Sequence, residues 1–306
     1  MQEQSHVEDR RHAYLIMAHN EFGVLRELLA DLDDPRNSIY LHIDKKVHNV
    51  PKPELQQAVK QSRLIFVEPM EVNWGGYTQI QCELLLMQTA RQHGNYAYYH
   101  LMTGVTFPLK SQDEIHQYFA LHDGQEFIGF DESRDYSERV RFVHLFNEIG
   151  KQNSSGKRLL YGVRSKTIAL QKRIGYIRPA AYGLTVKKGL VYWSLTQKAI
   201  DYLLNHEKEI YHLCKDSLCG DEVFAHTFLA NSTLAKHIFR GESELKSCLR
   251  FVKPPISYHT AKVGRIRENV INVNDIPALL QGDELFAYKF GGPQAIETIH
   301  QIKRNR

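Results

Sequence analysis

Two adjacent carboxylates, Asp221 and Glu222, follow Cys219-Gly220 in this chain of 306 residues. Acidic residues at that place favour a helix N-terminus; in the other reading one of the pair is a general base that takes a hydroxyl proton during group transfer. Two more polar side chains fall directly after apolar runs: His19 follows AYLIMA (13–18), and Asp44 follows SIYLHI (38–43). A carboxylate so placed accepts hydrogen bonds from the N–H of a base such as uracil or from ribose hydroxyls. The plainer alternative is that Asp44 caps a turn and His19 a helix. Arg265, Arg267 and Lys289 are the cations suited to an anionic ligand, since Arg forks onto phosphate oxygens and Lys supplies a point charge. Lys289 lies between Tyr288 and Phe290 in the apolar segment Glu284–Phe290, where a partly buried charge needs an anion. Taken singly, each of the three reads more readily as a surface cation.

The usual phosphate-binding fingerprints are missing. The turn after the first apolar run reads Met-Ala-His-Asn-Glu-Phe-Gly, and neither GxGxxG nor GxxxxGK[ST] occurs, which disfavours a dinucleotide dehydrogenase or a P-loop nucleotidase. A metal-holding DxD pair is matched by Asp31-Leu32-Asp33, but that triplet ends a predicted helix and reads as a solvated face. His42 and Asp44 alternate along a strand and form the other metal candidate. Without a denser cluster, fixed cations are the expected means of neutralising phosphate.

The elements that must position these residues follow from the apolar pattern. Residues 13–18, 38–43, 64–67, 96–102 and 126–130 read as strands, alternating with amphipathic stretches as in βα units around a mostly parallel sheet. Val24, Leu25, Leu28, Leu29 and Leu32 form the stripe of a first helix with Asn20 as its N-cap. Helices are also expected over 54–61 and 78–93, and from the capping box Ser111–Glu114. Residues 131–188 are basic and polar and read as irregular, with a loop at Asn153–Gly156. Residues 191–195 form another strand, with helices from about Thr196 and near Asp221-Glu222, and 253–275 read as a loop. In such sheets ligands bind outside the carboxyl ends of the strands, where His19 and Asp44 lie. The fold class is therefore α/β, a Rossmann-type mostly parallel sheet with a less regular C-terminal half. One domain over 1–306 is expected, with a nucleotide-binding half at 13–130 and an acceptor and catalytic half at 131–306.

Composition agrees with an ordinary globular chain: 42% hydrophobic and 24% charged residues, with a net charge of +4. That charge is too small to argue for nucleic acid as a partner. The tail Lys303–Arg306 reads as a solvated end that leaves room for weak attraction to anionic headgroups. No run approaches the roughly 20 apolar residues of a membrane span, and the polar N-terminus lacks a signal-peptide core. The four cysteines read as reduced thiols, with a Cys214–Cys219 bridge as the alternative. A cytoplasmic location, with peripheral association at the inner face of the membrane as an extension, is the expectation.

Seven ordered segments carry a family resemblance: AYLIMAHN (13–20), SIYLHIDKK (38–46), VNWGGYTQIQCELL (72–85), YYHLMTGVTFPLKS (98–111), VYWSLT (191–196), GDEVFAHTFLANS (220–232) and ELFAYKF (284–290). Together they resemble the core-2/I-branching β-1,6-N-acetylglucosaminyltransferase family, which includes the peptide O-xylosyltransferases. The resemblance implies a GT-A-like fold, an inverting reaction, a UDP-sugar donor, a glycan acceptor, and a diphosphate held by basic residues without metal or other cofactor. It implies Glu222 as catalytic base with Asp221 beside it. Met17, His19 and Asp44 would line the uridine site, and Arg265 or Arg267 with Lys289 would face the diphosphate. Trp193, Trp74 and Thr106 would lie on the sugar or acceptor side, although Trp193 reads equally as a strand core residue. GlcNAc is the expected sugar, with xylose as the alternative, and a non-catalytic glycan- or nucleotide-binding module as the reading of another class. Thr106 stands where the family usually has an Asp, which bears on the sugar chosen. Animal members are membrane-anchored and disulfide-bonded, so this chain looks like a bacterial relative building a surface or capsular glycan.

Overall fold

The computed structural model describes residues 11–150, 155–253 and 270–306. Nine strands are present among them: β1 His12–Ala18, β2 Asn37–Ile43, β3 Arg63–Phe66, β4 Tyr98–Thr103, β5 Thr106–Pro108, β6 Phe127–Ile128, β7 Trp193–Thr196, β8 Arg250–Val252 and β9 Phe286–Tyr288. Six of them make the main sheet, in the order β3-β2-β1-β4-β7-β6. The first four run parallel, β7 runs antiparallel to β4, and β6 antiparallel to β7. β7 comes from the second half of the chain, so both halves build one sheet. All of β2 and all but Met17 of β1 are buried, as expected for parallel strands covered on both faces. Alternate β1 side chains divide between two cores. Tyr14, Ile16 and Ala18 pack with helices Phe22–Asp31, Gln112–Leu121, Ile276–Gln281 and Ala295–Asn305, while Ala13 and Leu15 pack with Tyr77–His93 and Gln197–Asn205. The result is a mixed α/β arrangement, with a mostly parallel sheet between helices.

The other three strands form a small sheet, β5-β9-β8, with β9 antiparallel to β5 and parallel to β8. Arg250 ties it to the main sheet. Its guanidinium lies 4.1 Å from the centre of the Phe286 ring and donates to the Cys248 carbonyl at 2.9 Å and to Ser194 Oγ of β7 at 3.3 Å. Full burial lowers its pKa to about 10. A buried cation held only by neutral acceptors and a ring face is costly to move, so the position of β9 relative to β7 is well determined.

Several expectations change. Asn20 does not cap the first helix; the N-cap is Glu21, in the left-handed region at φ 51°. Its carboxylate accepts the Gly292 N–H at 3.2 Å, a tertiary contact that no local pattern announces. The stretch read as irregular contains the 19-residue helix Ser155–Arg173, so Ser155 and Gly156 of the expected loop are helical, while Asn153 and Ser154 lie outside the described residues. The expected helix near Asp221 is a 3-10 turn, Gly220–Glu222, followed by a helix over Phe224–Ala230. The four cysteines are free thiols.

Asp31-Leu32-Asp33 is not a solvated face, and the C-terminal tail is solvated only in part, with Arg304 and Asn305 exposed. Asp31 is almost fully covered and paired with Arg306, and Lys303 pairs with Glu27 at 2.9 Å. Asp33 accepts the backbone N–H groups of Lys60, Gln61 and Ser62. Burial pushes the Asp31 carboxyl up while Arg306 opposes the shift. Removing one partner of a covered pair strands the other charge. Arg306→Ala should therefore cost about 3 kcal/mol in urea unfolding at neutral pH; a loss below about 0.5 kcal/mol would mean that the pair behaves as an exposed one.

Candidate active site

The site begins at the carboxyl edge of the parallel strands. The Asp44 N–H donates to the Ala18 carbonyl at 3.0 Å, joining the ends of β2 and β1. The Asp44 side chain accepts the Lys46 N–H at 2.9 Å, the turn-capping geometry that the sequence left open. Lys46 Nζ donates to Asn73 Oδ1 at 3.0 Å and to the Val72 carbonyl, which carries the Asp44 turn across to Asn73-Trp74-Gly75-Gly76. Met17 is half-buried against one core, and His19 is exposed just beyond β1. Trp74 is 48% exposed.

The two glycines have separate reasons. Gly75 adopts φ +79°, which side chains rarely tolerate, and a Cβ on Gly76 would collide with the Glu148 carboxylate. Glu148 accepts both the Thr78 N–H (3.0 Å) and its hydroxyl (2.8 Å), fixing the start of helix Tyr77–His93. One turn into that helix, Gln79 accepts the Gly75 N–H and donates from Nε2 to Asp221 Oδ2 at 2.9 Å. The Cys219 N–H donates to the Gly75 carbonyl at 2.9 Å. Asp221-Glu222 is thus bolted to the turn that also holds the Asp44 loop.

The two carboxylates of that pair differ. Asp221 is 5% exposed, and its Oδ1 has no hydrogen-bond partner. Burial, then the Glu222 charge, raises its pKa to about 7. Glu83, fully buried on helix Tyr77–His93, is pushed well up by burial and then by Asp221, and neither of its oxygens has a partner. Glu222 points outward, its side chain 30% exposed. Its Oε2 accepts Arg139 Nη1 at 2.5 Å and lies 3.9 Å from Lys188 Nζ. Lys188 also pairs with Asp131 at 3.2 Å, and Asp131 accepts the Tyr136 hydroxyl. The Tyr136 ring carries Arg139 at 5.4 Å and Lys188 at 5.1 Å from its centre. Arg139, Lys188, Asp131, Tyr136 and Gln79 escaped the sequence reading because they come from a polar stretch without periodicity, or from a helix face chosen for packing.

Lys289 reaches the same edge from the small sheet. Phe290 N–H donates to the Val105 carbonyl at 2.9 Å and Gly104 N–H to the Met17 carbonyl at 2.9 Å, so the residue after β9 sits beside the ends of β1 and β4. Gly104 packs tightly there; an added Cβ would lie 2.9 Å from that of Ala18. Thr106 is fully buried, its hydroxyl 3.3 Å from that of Thr103, and the Tyr192 ring packs at a tilt against Tyr288 with centres 4.9 Å apart. The segment from Lys188 to Tyr192 therefore joins the Glu222 cluster to the Lys289 side, with Gly189 N–H donating to the Glu222 carbonyl at 3.0 Å. Trp193, 1% exposed, is packed in the core next to helix Tyr77–His93. Arg265 and Arg267 lie outside the described residues. His42 is buried, with Nε2 accepting the Met70 N–H at 3.0 Å, so its ring nitrogen is already engaged.

A sequence profile of the core-2/I-branching enzyme matches residues 12–251, well over half of the chain. The chain belongs to the core-2/I-branching enzyme family. This is a family of glycosyltransferases. A human relative, the probable β-1,3-galactosyl-O-glycosyl-glycoprotein β-1,6-N-acetylglucosaminyltransferase 7, is 23% identical over 288 residues, covering 91% of this chain. The chain spans 64% of the length of that relative. Among solved structures, apo mouse xyloside xylosyltransferase 1 aligns over 93% of this chain and 98% of its own, with 10% identity and a TM-score of 0.37. No helix among the described residues of this family member is long and apolar enough to cross a membrane.

The raised Asp221 pKa has a consequence for stability. The native state binds this proton more tightly than an unfolded chain, whose Asp titrates near 3.8. Its contribution is complete below that value and is lost as pH rises towards about 7. Asp221→Asn should remove this part of the decline, leaving the variant more stable than wild type at neutral pH by up to about 4 kcal/mol. Parallel unfolding curves for the two proteins across that window would instead show Asp221 ionised throughout in the fold.

Proposed function

We propose that this chain is an inverting glycosyltransferase that moves N-acetylglucosamine from UDP-GlcNAc to a carbohydrate hydroxyl, without a metal ion, with Glu222 as general base. The observation that carries the reading is the Asp221-Glu222 pair at the carboxyl edge. There one carboxylate is buried and anchored through Gln79, while its neighbour is held outward between Arg139 and Lys188. The choice of sugar draws on the activity named for the human relative.

In this mechanism the acceptor O–H gives its proton to Glu222 as its oxygen bonds to the anomeric carbon. The bond from that carbon to the phosphate oxygen breaks, and UDP departs from the opposite face. Arg139 holds the Glu222 carboxylate in place before the acceptor arrives. Basicity then rises in concert with bond formation rather than from a free carboxylate. Lys289, beside the ends of β1 and β4, and Arg265 or Arg267 would meet the charge that develops on the diphosphate, a contribution of roughly 3–4 kcal/mol for a well-placed donor. Asp44 and His19, at the strand ends where nucleotides bind in open sheets, would take the uridine, and Met17 would pack against it.

Two facts about the candidate metal ligands favour fixed cations over a metal. Asp31 and Asp33 are committed to Arg306 and to backbone N–H groups, and the His42 ring nitrogen is committed to Met70. Both candidate metal pairs thus already serve the fold.

Release of UDP from a panel of UDP-sugars including UDP-GlcNAc and UDP-xylose, in EDTA, tests the proposal. UDP-GlcNAc turnover should persist, and Glu222→Gln should lower kcat by at least about a hundredfold while UDP still binds. Preference for UDP-xylose would replace the sugar. Turnover unchanged in Glu222→Gln would remove the base, and activity abolished by EDTA would return attention to His42 and Asp44.

A further inference from the structure

Helix Ser155–Arg173 is built inside out. Its polar side faces the protein: Arg164 is buried, donating to the carbonyls of Leu145 (2.8 Å) and Phe146, while Gln171 exchanges hydrogen bonds with both backbone groups of Val143 at 2.8 and 3.0 Å. Tyr161 donates to the Gly150 carbonyl at 2.6 Å. The apolar side faces out. Leu159 is 71% exposed and Leu170 57%, with Val163 and Ile174 also exposed. At 3.6 residues per turn these four fall within about 60° of arc, a continuous stripe, and Lys166 and Arg173 lie along one edge of it.

The stripe does not stand alone. Of the eleven large apolar side chains exposed among the described residues, eight lie between 145 and 182, including Phe146, Tyr176 and Tyr182. Charge is equally segregated. Residues 149–200 contain eleven Lys or Arg and no Asp or Glu, which leaves 28 basic against 35 acidic residues in the rest of the chain. A modest net charge of +4 thus conceals a strongly basic segment on an otherwise acidic protein. Apolar residues in a stripe, cations at its margin and tyrosines nearby are the features of a helix lying in the headgroup region of a bilayer. A nucleic-acid surface would not place exposed leucines at its centre, and the basic margin selects an anionic lipid surface over a neutral one.

We propose that helix Ser155–Arg173, with the exposed aromatic residues beside it, docks this protein on membranes rich in anionic lipid. The C-terminal tail has no part in this, because Arg306 and Lys303 are paired within the fold. Segment 143–150, on which the helix rests, also supplies Glu148 to the Gly76–Thr78 turn. The docking surface therefore adjoins the active site whichever donor the site uses.

Co-sedimentation of the full chain with phosphatidylglycerol–phosphatidylcholine vesicles, against pure phosphatidylcholine, tests this. Binding should require phosphatidylglycerol and weaken with salt. It should fall by about tenfold or more in Leu159→Ser/Leu170→Ser and in Lys166→Glu/Arg173→Glu. All four side chains are exposed, so both variants should keep the wild-type Tm. Lys303→Gln, outside the surface, should bind as wild type and serves as the control. Failure to bind either vesicle would overturn the proposal, as would binding that both double variants retain. A dimer in solution that Leu159→Ser/Leu170→Ser dissociates, without vesicle binding, would reassign the stripe to a second copy of the chain.

Discussion

The side-chain amide of Gln79 is the interaction on which the site's geometry rests. It accepts from the Gly75 backbone and donates to Asp221, so one planar group sets the distance between the Gly75-Gly76 turn and the acidic pair. On one side that turn is joined through Lys46 to the Asp44 loop at the end of β2. On the other, Glu222 is left facing solvent only because Asp221 is drawn inward. A buried acid next to an exposed one is an unequal pair by construction. Desolvation, then the charge of its neighbour, strengthens the hold of the first on its proton.

Cations are distributed around that pair with corresponding economy. Arg139 and Lys188 both meet Glu222, both lie over the Tyr136 ring, and Lys188 is shared with Asp131. Such a cluster is rigid, because each charge has more than one partner and the aromatic ring excludes water from one side. Lys289 arrives from a different sheet, held in place by β5, β8 and the buried guanidinium of Arg250. The two halves of the chain meet here: the first supplies the strand ends and the turn, and the second supplies the acidic pair and the cations.

The segment between β6 and β7 shows how a pattern can mislead. A helix is recognised from sequence by an apolar stripe that is assumed to face a core. In helix Ser155–Arg173 the stripe faces outward, and hydrogen bonds to loop carbonyls hold the polar side, so basic composition reads as disorder of pattern. The DxD-like triplet misleads in the opposite sense. Asp31 and Asp33 look like surface residues at a helix end, but Arg306 and the backbone of 60–62 enclose them, and those partners come from other parts of the chain.

What the sequence determined by itself is what local periodicity and turn chemistry encode. Continuous apolar runs made β1, β2 and β4 parallel buried strands, the Leu25–Leu32 stripe made the first helix, and Ser111–Glu114 made a capping box that the structure contains. The family resemblance singled out Asp221-Glu222, Asp44 and Lys289, and in the structure hydrogen bonds through Gln79, Gly75 and Lys46 link the first pair to the Asp44 turn. Only tertiary structure decided which acid is buried, which cations face Glu222, and that Trp193 belongs to the core. The reason is physical. Periodicity constrains a residue against its neighbours three or four places away, whereas a charge takes its protonation state and its partners from groups that folding brings together across a hundred residues or more.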